Sequence, residues 1–102
     1  VAGGLSLDEP AADLAVCLAV ASSLSDKTLP HDVAAMGEVG LLGEVRPIPF
    51  LERRLAECAR LGFMQVICPR AGKLKVPKGL KMIEVATLSQ AVAALHLLAD
   101  GA

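Results

Sequence analysis

The chain has 102 residues, enough for one domain with a real core and too few for a second. Apolar residues make up 54% but the only aromatics are two phenylalanines, so the core is expected to consist of Ala, Leu, Val and Ile in tight layers. No apolar run reaches membrane-spanning length and no basic segment precedes an apolar one at the start, so neither a span nor a leader is expected.

Val1–Leu5 reads as the end of a strand. Asp8 is a good N-cap, with Glu9 and Pro10 in a first turn where a carboxylate suits the dipole and proline loses no bond. The helix predicted from Pro10 to Ser23 is apolar on almost every side through Leu14–Ala21, a pattern that belongs in the centre of a domain. Ser22–Asp32 is a polar loop containing Pro30.

Val33–Glu38 and Val39–Ile48 read as strands. Glycines 37, 40 and 43 imply bent or closely approached backbone, and they lack the Gly-Lys-Ser/Thr of a phosphate loop. Phe50–Leu61 is an amphipathic helix with Leu51, Leu55 and Cys58 inward, stopped by Gly62. Gln65–Cys68 is a short buried strand closed by Pro69, and Arg70–Lys81 is a basic loop interrupted at Pro77 and Gly79. Met82–Val85 is a strand, and Thr87 with Gln90 forms a capping box for a helix from Leu88 to about Leu98, ended by Gly101. The order β-α-β-β-α-β-β-α predicts an α/β class, or an α+β two-layer sandwich.

The net charge of −1 conceals a division. Residues 1–45 carry seven acids against Lys27, a net −6, whereas residues 46–83 carry nine bases against Glu52 and Glu57, a net +7. Such asymmetry points to a polyanion partner or to head-to-tail contacts between subunits. Arg70, Lys73, Lys75, Lys78 and Lys81 are the candidate residues for tracking a phosphate backbone, because they are concentrated in one Gly/Pro-broken segment. With so few aromatics, binding is expected to track phosphates rather than stack bases, and so to be sequence-independent and salt-sensitive.

Cys17, Cys58 and Cys68 are odd in number and have no Cys-x-x-Cys spacing, so buried reduced thiols are expected. His31 and His96 lack a second ligand at metal spacing, and no metal is assigned. Ser6, Ser22, Ser23, Ser25 and Ser89 have no identifiable base beside them and read as turn or loop residues.

Three stretches carry a resemblance: Asp8-Glu9-Pro10-Ala11-Ala12-Asp13, then Met36-Gly37-Glu38-Val39-Gly40-Leu41-Leu42-Gly43-Glu44-Val45, then Pro47-Ile48-Pro49-Phe50-Leu51-Glu52-Arg53-Arg54-Leu55. Their order resembles the proteolytic domain of Lon-type serine–lysine peptidases. Those enzymes read Asp-Gly-Pro-Ser-Ala-Gly, then Thr-Gly-Glu, then a lysine three residues after a leucine. Here the serine position is Ala11, the threonine position Met36 and the lysine position Arg54. Ala11 offers no nucleophile, and Arg54 stays protonated and cannot serve as a general base. Glu9 and Asp13 stand where the peptidases use glycines.

Together with Val1-Ala2-Gly3-Gly4-Leu5 and Leu61-Gly62-Phe63, the wording is similar to the C-terminal Lon-like domain of the RadA (Sms) family of bacterial DNA-repair ATPases, over about residues 1–98. The resemblance implies a Lon proteolytic-domain-like fold, also described as ribosomal protein S5 domain 2-like, spanning residues 1–102 as a single domain of a longer chain. It further implies an upstream RecA-like ATPase using ATP and Mg, an upstream four-cysteine Zn finger, and a cytoplasmic homo-oligomer built as a hexameric ring. In that family the ring moves branched DNA during homologous recombination, with DNA and recombination proteins as partners. No cofactor is expected within this chain itself. Glu38 follows a central strand near the old cleft in this frame, where two readings stand open: a structural ion pair with Arg54, worth about 3–5 kcal/mol on breaking if buried, or a solvated strand-end carboxylate. The alternative is a Lon-type peptidase domain carrying inactivating substitutions. A site for small anions at the helix start is disfavoured by Glu9 and Asp13.

Overall fold

The computed structural model describes residues 9–26 and 30–100. The expected strand at Val1–Leu5 and the Asp8 cap lie outside them. A single 3-10 turn, Pro10–Ala12, leads into helix α1 (Asp13–Ser25), followed by β1 (Val33–Ala35), β2 (Glu38–Val39) and β3 (Val45–Arg46). Helix α2 (Leu51–Arg60), β4 (Gln65–Pro69), β5 (Lys81–Val85) and α3 (Leu88–Asp100) complete the order.

β4 is the centre of a three-stranded parallel sheet, β1-β4-β5. Ala34 faces Val66 in register on one side, and Ile67 faces Ile83 on the other. Val66, Ile67, Cys68 and Pro69 are all buried, the unbroken apolar run expected of a parallel strand covered on both faces. Alternation then divides the core. Val66 and Cys68 meet Leu51, Leu55 and Cys58 of α2. Ile67 and Val85 meet Leu14 and Leu18 of α1 and Ala91 and Leu95 of α3. The α/β class is therefore the one expected, with α2 as a layer opposite α1 and α3. Leu55 is fully buried, and its truncation to alanine would cost about 2–5 kcal/mol.

The capping box forms, with the Gln90 amide donating to Thr87 Oγ1 at 3.1 Å. In return, Gln90 Oε1 accepts from the backbone N–H of Ala86, at 2.7 Å, rather than from that of Thr87. Several local expectations change: α1 continues to Ser25 through the start of the expected polar loop, and Pro69 belongs to β4 rather than closing it. The strands expected at Val33–Glu38 and Val39–Ile48 resolve into a short β1 and a separate antiparallel hairpin, in which Glu38 faces Arg46 and Val39 faces Val45. The glycines permit this reversal: the amide of Gly40 donates to Glu44 O and that of Gly43 to Gly40 O. Lys81 belongs to β5 rather than to the basic loop. Finally, α1 is not central. It buries Leu14 and Leu18 but leaves Val20 and Leu24 exposed, because only its inner side meets the sheet.

Candidate functional site

The positions aligned with the peptidase frame converge at the start of α1. Ala11 is buried and packs in the α2-side cluster, with Met36 partly buried against it. Backbone bonds fix this arrangement: Gly37 N–H donates to Ala11 O at 2.9 Å, and Leu14 N–H to Gly37 O at 3.0 Å. Gly37 is required by close approach, since a Cβ there would lie 3.0 Å from Val45 Cγ1 and 3.4 Å from Leu14 Cδ2.

Arg54 reaches the same turn. Its Nη2 donates to Glu9 Oε1 at 3.1 Å and its Nε to Pro49 O at 2.9 Å. The Glu38–Arg54 pair is thus not formed. Hairpin register places Glu38 opposite Arg46, while Arg54 is committed to Glu9, two residues before Ala11. The Glu9 side chain is 59% exposed, so this pair lies in the range of about 0–1 kcal/mol for surface ion pairs rather than the several expected of a buried one. Asp13 is also used: its Oδ2 accepts the Val39 N–H at 3.2 Å and ties the hairpin to α1. Glu9 and Asp13 therefore both hold structure, through partners that are 45 and 26 residues away in the sequence.

The remaining charges separate into paired and free. Arg46 makes two bonds to Glu44, at 2.7 and 3.2 Å; the Glu44 carboxyl is held below its usual range first by its hydrogen bond to the Glu44 backbone N–H and then by Arg46. Arg60 pairs with Glu57 on α2, and that hydrogen bond holds Glu57 low. Arg53 lies over the Phe50 ring, 5.1 Å from its centroid. Arg70, Lys73, Lys75, Lys78 and Lys81 are exposed, and among the described residues none enters an ion pair.

The segment carrying these five cations is anchored rather than loose. Ala71, Leu74 and Leu80 pack into the α2-side cluster, leaving the basic residues between them outside. Glu84 accepts the Ala71 N–H at 3.3 Å, and Glu52 of α2 accepts the Lys75 N–H at 3.4 Å. Burial pushes the Cys68 thiol up to about 12 and raises Cys58 and Cys17 above the ordinary thiol value. All three are free. A cavity of about 100 Å³ between α1, β1 and α3 is lined by Ala15, Leu18, Val33 and Leu95 among others, and offers no reactive group.

The protein is an α/β domain in which Ala11 is packed into the core and Arg54 is tethered to the turn before it. Residues 1–96 match the Lon protease (S16) C-terminal proteolytic domain, and the chain belongs to that family. Within it, the chain is similar to proteins named DNA repair protein RadA. It is 45% identical over 93 residues to that of Escherichia coli, covering 90% of this chain and 20% of the relative. It is 48% identical over 96 residues to that of Pseudomonas aeruginosa, covering 93% and 21%. The Aquifex aeolicus protein is 42% identical over 95 residues, covering 93% and 21%. The chain thus spans about a fifth of the length of these relatives.

Proposed function

We propose that the domain is a non-peptidase scaffold and DNA-binding module of a RadA-type, ATP-dependent DNA-repair protein that acts in branch migration during homologous recombination. The observation that carries the DNA-binding part is the anchored segment 70–81, which presents Arg70, Lys73, Lys75, Lys78 and Lys81 without acidic partners among the described residues. A fixed row of free cations suits phosphates and reads no bases. Ala11 and Arg54 support the non-peptidase part, since neither nucleophile nor neutral base is present.

On this reading the parent protein supplies ATP, Mg and Zn through other domains. It works in the cytoplasm as a homo-oligomeric, hexameric ring, with DNA and recombination proteins as partners. Acidic residues 8–44 of one subunit would face those basic residues of the 46–81 stretch of the next that do not hold phosphates, a heterologous contact that closes by rotation. If about three of the free cations touch phosphates, log K should fall against log salt with a slope of about −2.7. Replacing Lys73, Lys75 and Lys78 by alanine in the full-length protein should flatten that slope and weaken binding. Unchanged affinity and slope with assembly intact would overturn the DNA-binding role of the segment, and lost assembly would assign it to the subunit interface.

A further inference from the structure

One feature on the same side of the domain is not explained by phosphate contacts. Phe50 is 65% exposed and adopts φ +60, a left-handed conformation that bulky residues seldom take. This backbone turns the chain into α2, with Phe50 at the N-cap. The side chain is not used as core filling, although Ile48 and Leu51 on either side of it in sequence are buried. Arg53, one turn on, lies 5.1 Å from the ring centroid and orders the ring through its cation. The basic segment reaches the same end of α2, because Glu52 accepts the Lys75 N–H.

We propose that Phe50 and Arg53 form a stacking platform for an unpaired nucleobase, placed beside the cations that hold the phosphates. The site would then take DNA at a boundary between duplex and single strand. This rests on the DNA-binding reading above. An aromatic face accepts any base, and a neighbouring guanidinium adds to stacking, so such a platform prefers unpaired strands without preferring a sequence. A single ring suffices for one base at a boundary, so the scarcity of aromatics, which argues against extended single-strand binding, does not argue against this site.

The test compares a blunt duplex with the same duplex bearing a short poly-thymidine tail, binding to the full-length protein. Phe50→Gly removes the ring at a position whose backbone suits glycine, so folding is preserved; Phe50→Trp keeps a platform. The tailed duplex should bind more tightly than the blunt one. Phe50→Gly should reduce that preference by about five- to tenfold with blunt-duplex affinity unchanged, and Phe50→Trp should retain it. Absence of any tail preference, or a preference that survives Phe50→Gly while the Lys73, Lys75 and Lys78 alanine variant weakens both probes, would overturn the platform alone. If the lysine variant weakens neither probe, the DNA reading fails and the platform with it. Loss of self-assembly in Phe50→Gly, seen by sedimentation with the tail preference intact, would make Phe50 a subunit contact instead.

Discussion

Placing a serine at position 11 should not create a peptidase, and it should cost stability. Ala11 is 5% exposed and lies among Leu51, Leu55 and Met36. A hydroxyl placed there leaves water for an apolar environment, a loss of about 1–3 kcal/mol if it stays unpaired. Bonding back to a carbonyl of its own turn would bring the loss towards the lower end, about 1 kcal/mol, which in a domain of this size is a fall in Tm of about 4–8 °C. Catalysis needs in addition a neutral base near that hydroxyl, and Arg54 remains a cation tied to Glu9 and to Pro49 O. The assay is Ala11→Ser with a labelled unfolded protein as substrate at mildly alkaline pH, beside a thermal melt. No cleavage and a lowered Tm are expected. Cleavage above the level of the unaltered protein would refute the argument about the base, and an unchanged Tm would refute the packing argument.

Two other perturbations test the fold around the site. Gly37→Ala should destabilise by about 1–3 kcal/mol, read by denaturant unfolding, because the added Cβ meets Val45 Cγ1 at 3.0 Å within the buried core. Cys68 should resist thiol reagents in the folded state, and Cys17, only half-buried, should react first. The raised Cys68 value also sets a pH trend. Its stabilising contribution is complete below the ordinary thiol value of 9.0 and is lost as pH rises towards about 12, so alkaline unfolding should be less steep in Cys68→Ala.

Local pattern made much of the fold legible. The α2 stripe of Leu51, Leu55 and Cys58 is buried as its spacing requires, and the apolar run of β4 lies between two helical layers. α1 was misplaced for a physical reason: a segment apolar on all sides contains no signal about which side meets the sheet. The hairpin was hidden because Val39–Ile48 has strand composition throughout, and only the backbone bonds among Gly40, Gly43 and Glu44 show where it reverses. The residues of the altered site could be named from their order in the chain. Their partners could not, since Glu9 and Arg54 are 45 residues apart and Asp13 and Val39 are 26 apart.

The Glu9–Arg54 pair also bears on why the basic residue here is an arginine. A general-base lysine must lose its proton near neutral pH, and a carboxylate at close range holds the proton on. A lysine at position 54 would sit beside the carboxylate that now accepts from Arg54 Nη2 at 3.1 Å. Glu9 therefore works against dyad chemistry where serine and lysine are both supplied, by up to the roughly 1 kcal/mol of a surface pair, whereas an arginine, which never acts as a base, is compatible with it. We expect the Ala11→Ser, Met36→Thr, Arg54→Lys variant to stay inactive while Glu9 is present. Titration of the introduced lysine by NMR should show a pKa no lower than the free side chain's, and further replacement of Glu9 by glycine should lower it. A lysine that already titrates near neutral pH with Glu9 intact would show that the carboxylate does not hold it charged, and that the frame is closer to catalysis than its pairing implies.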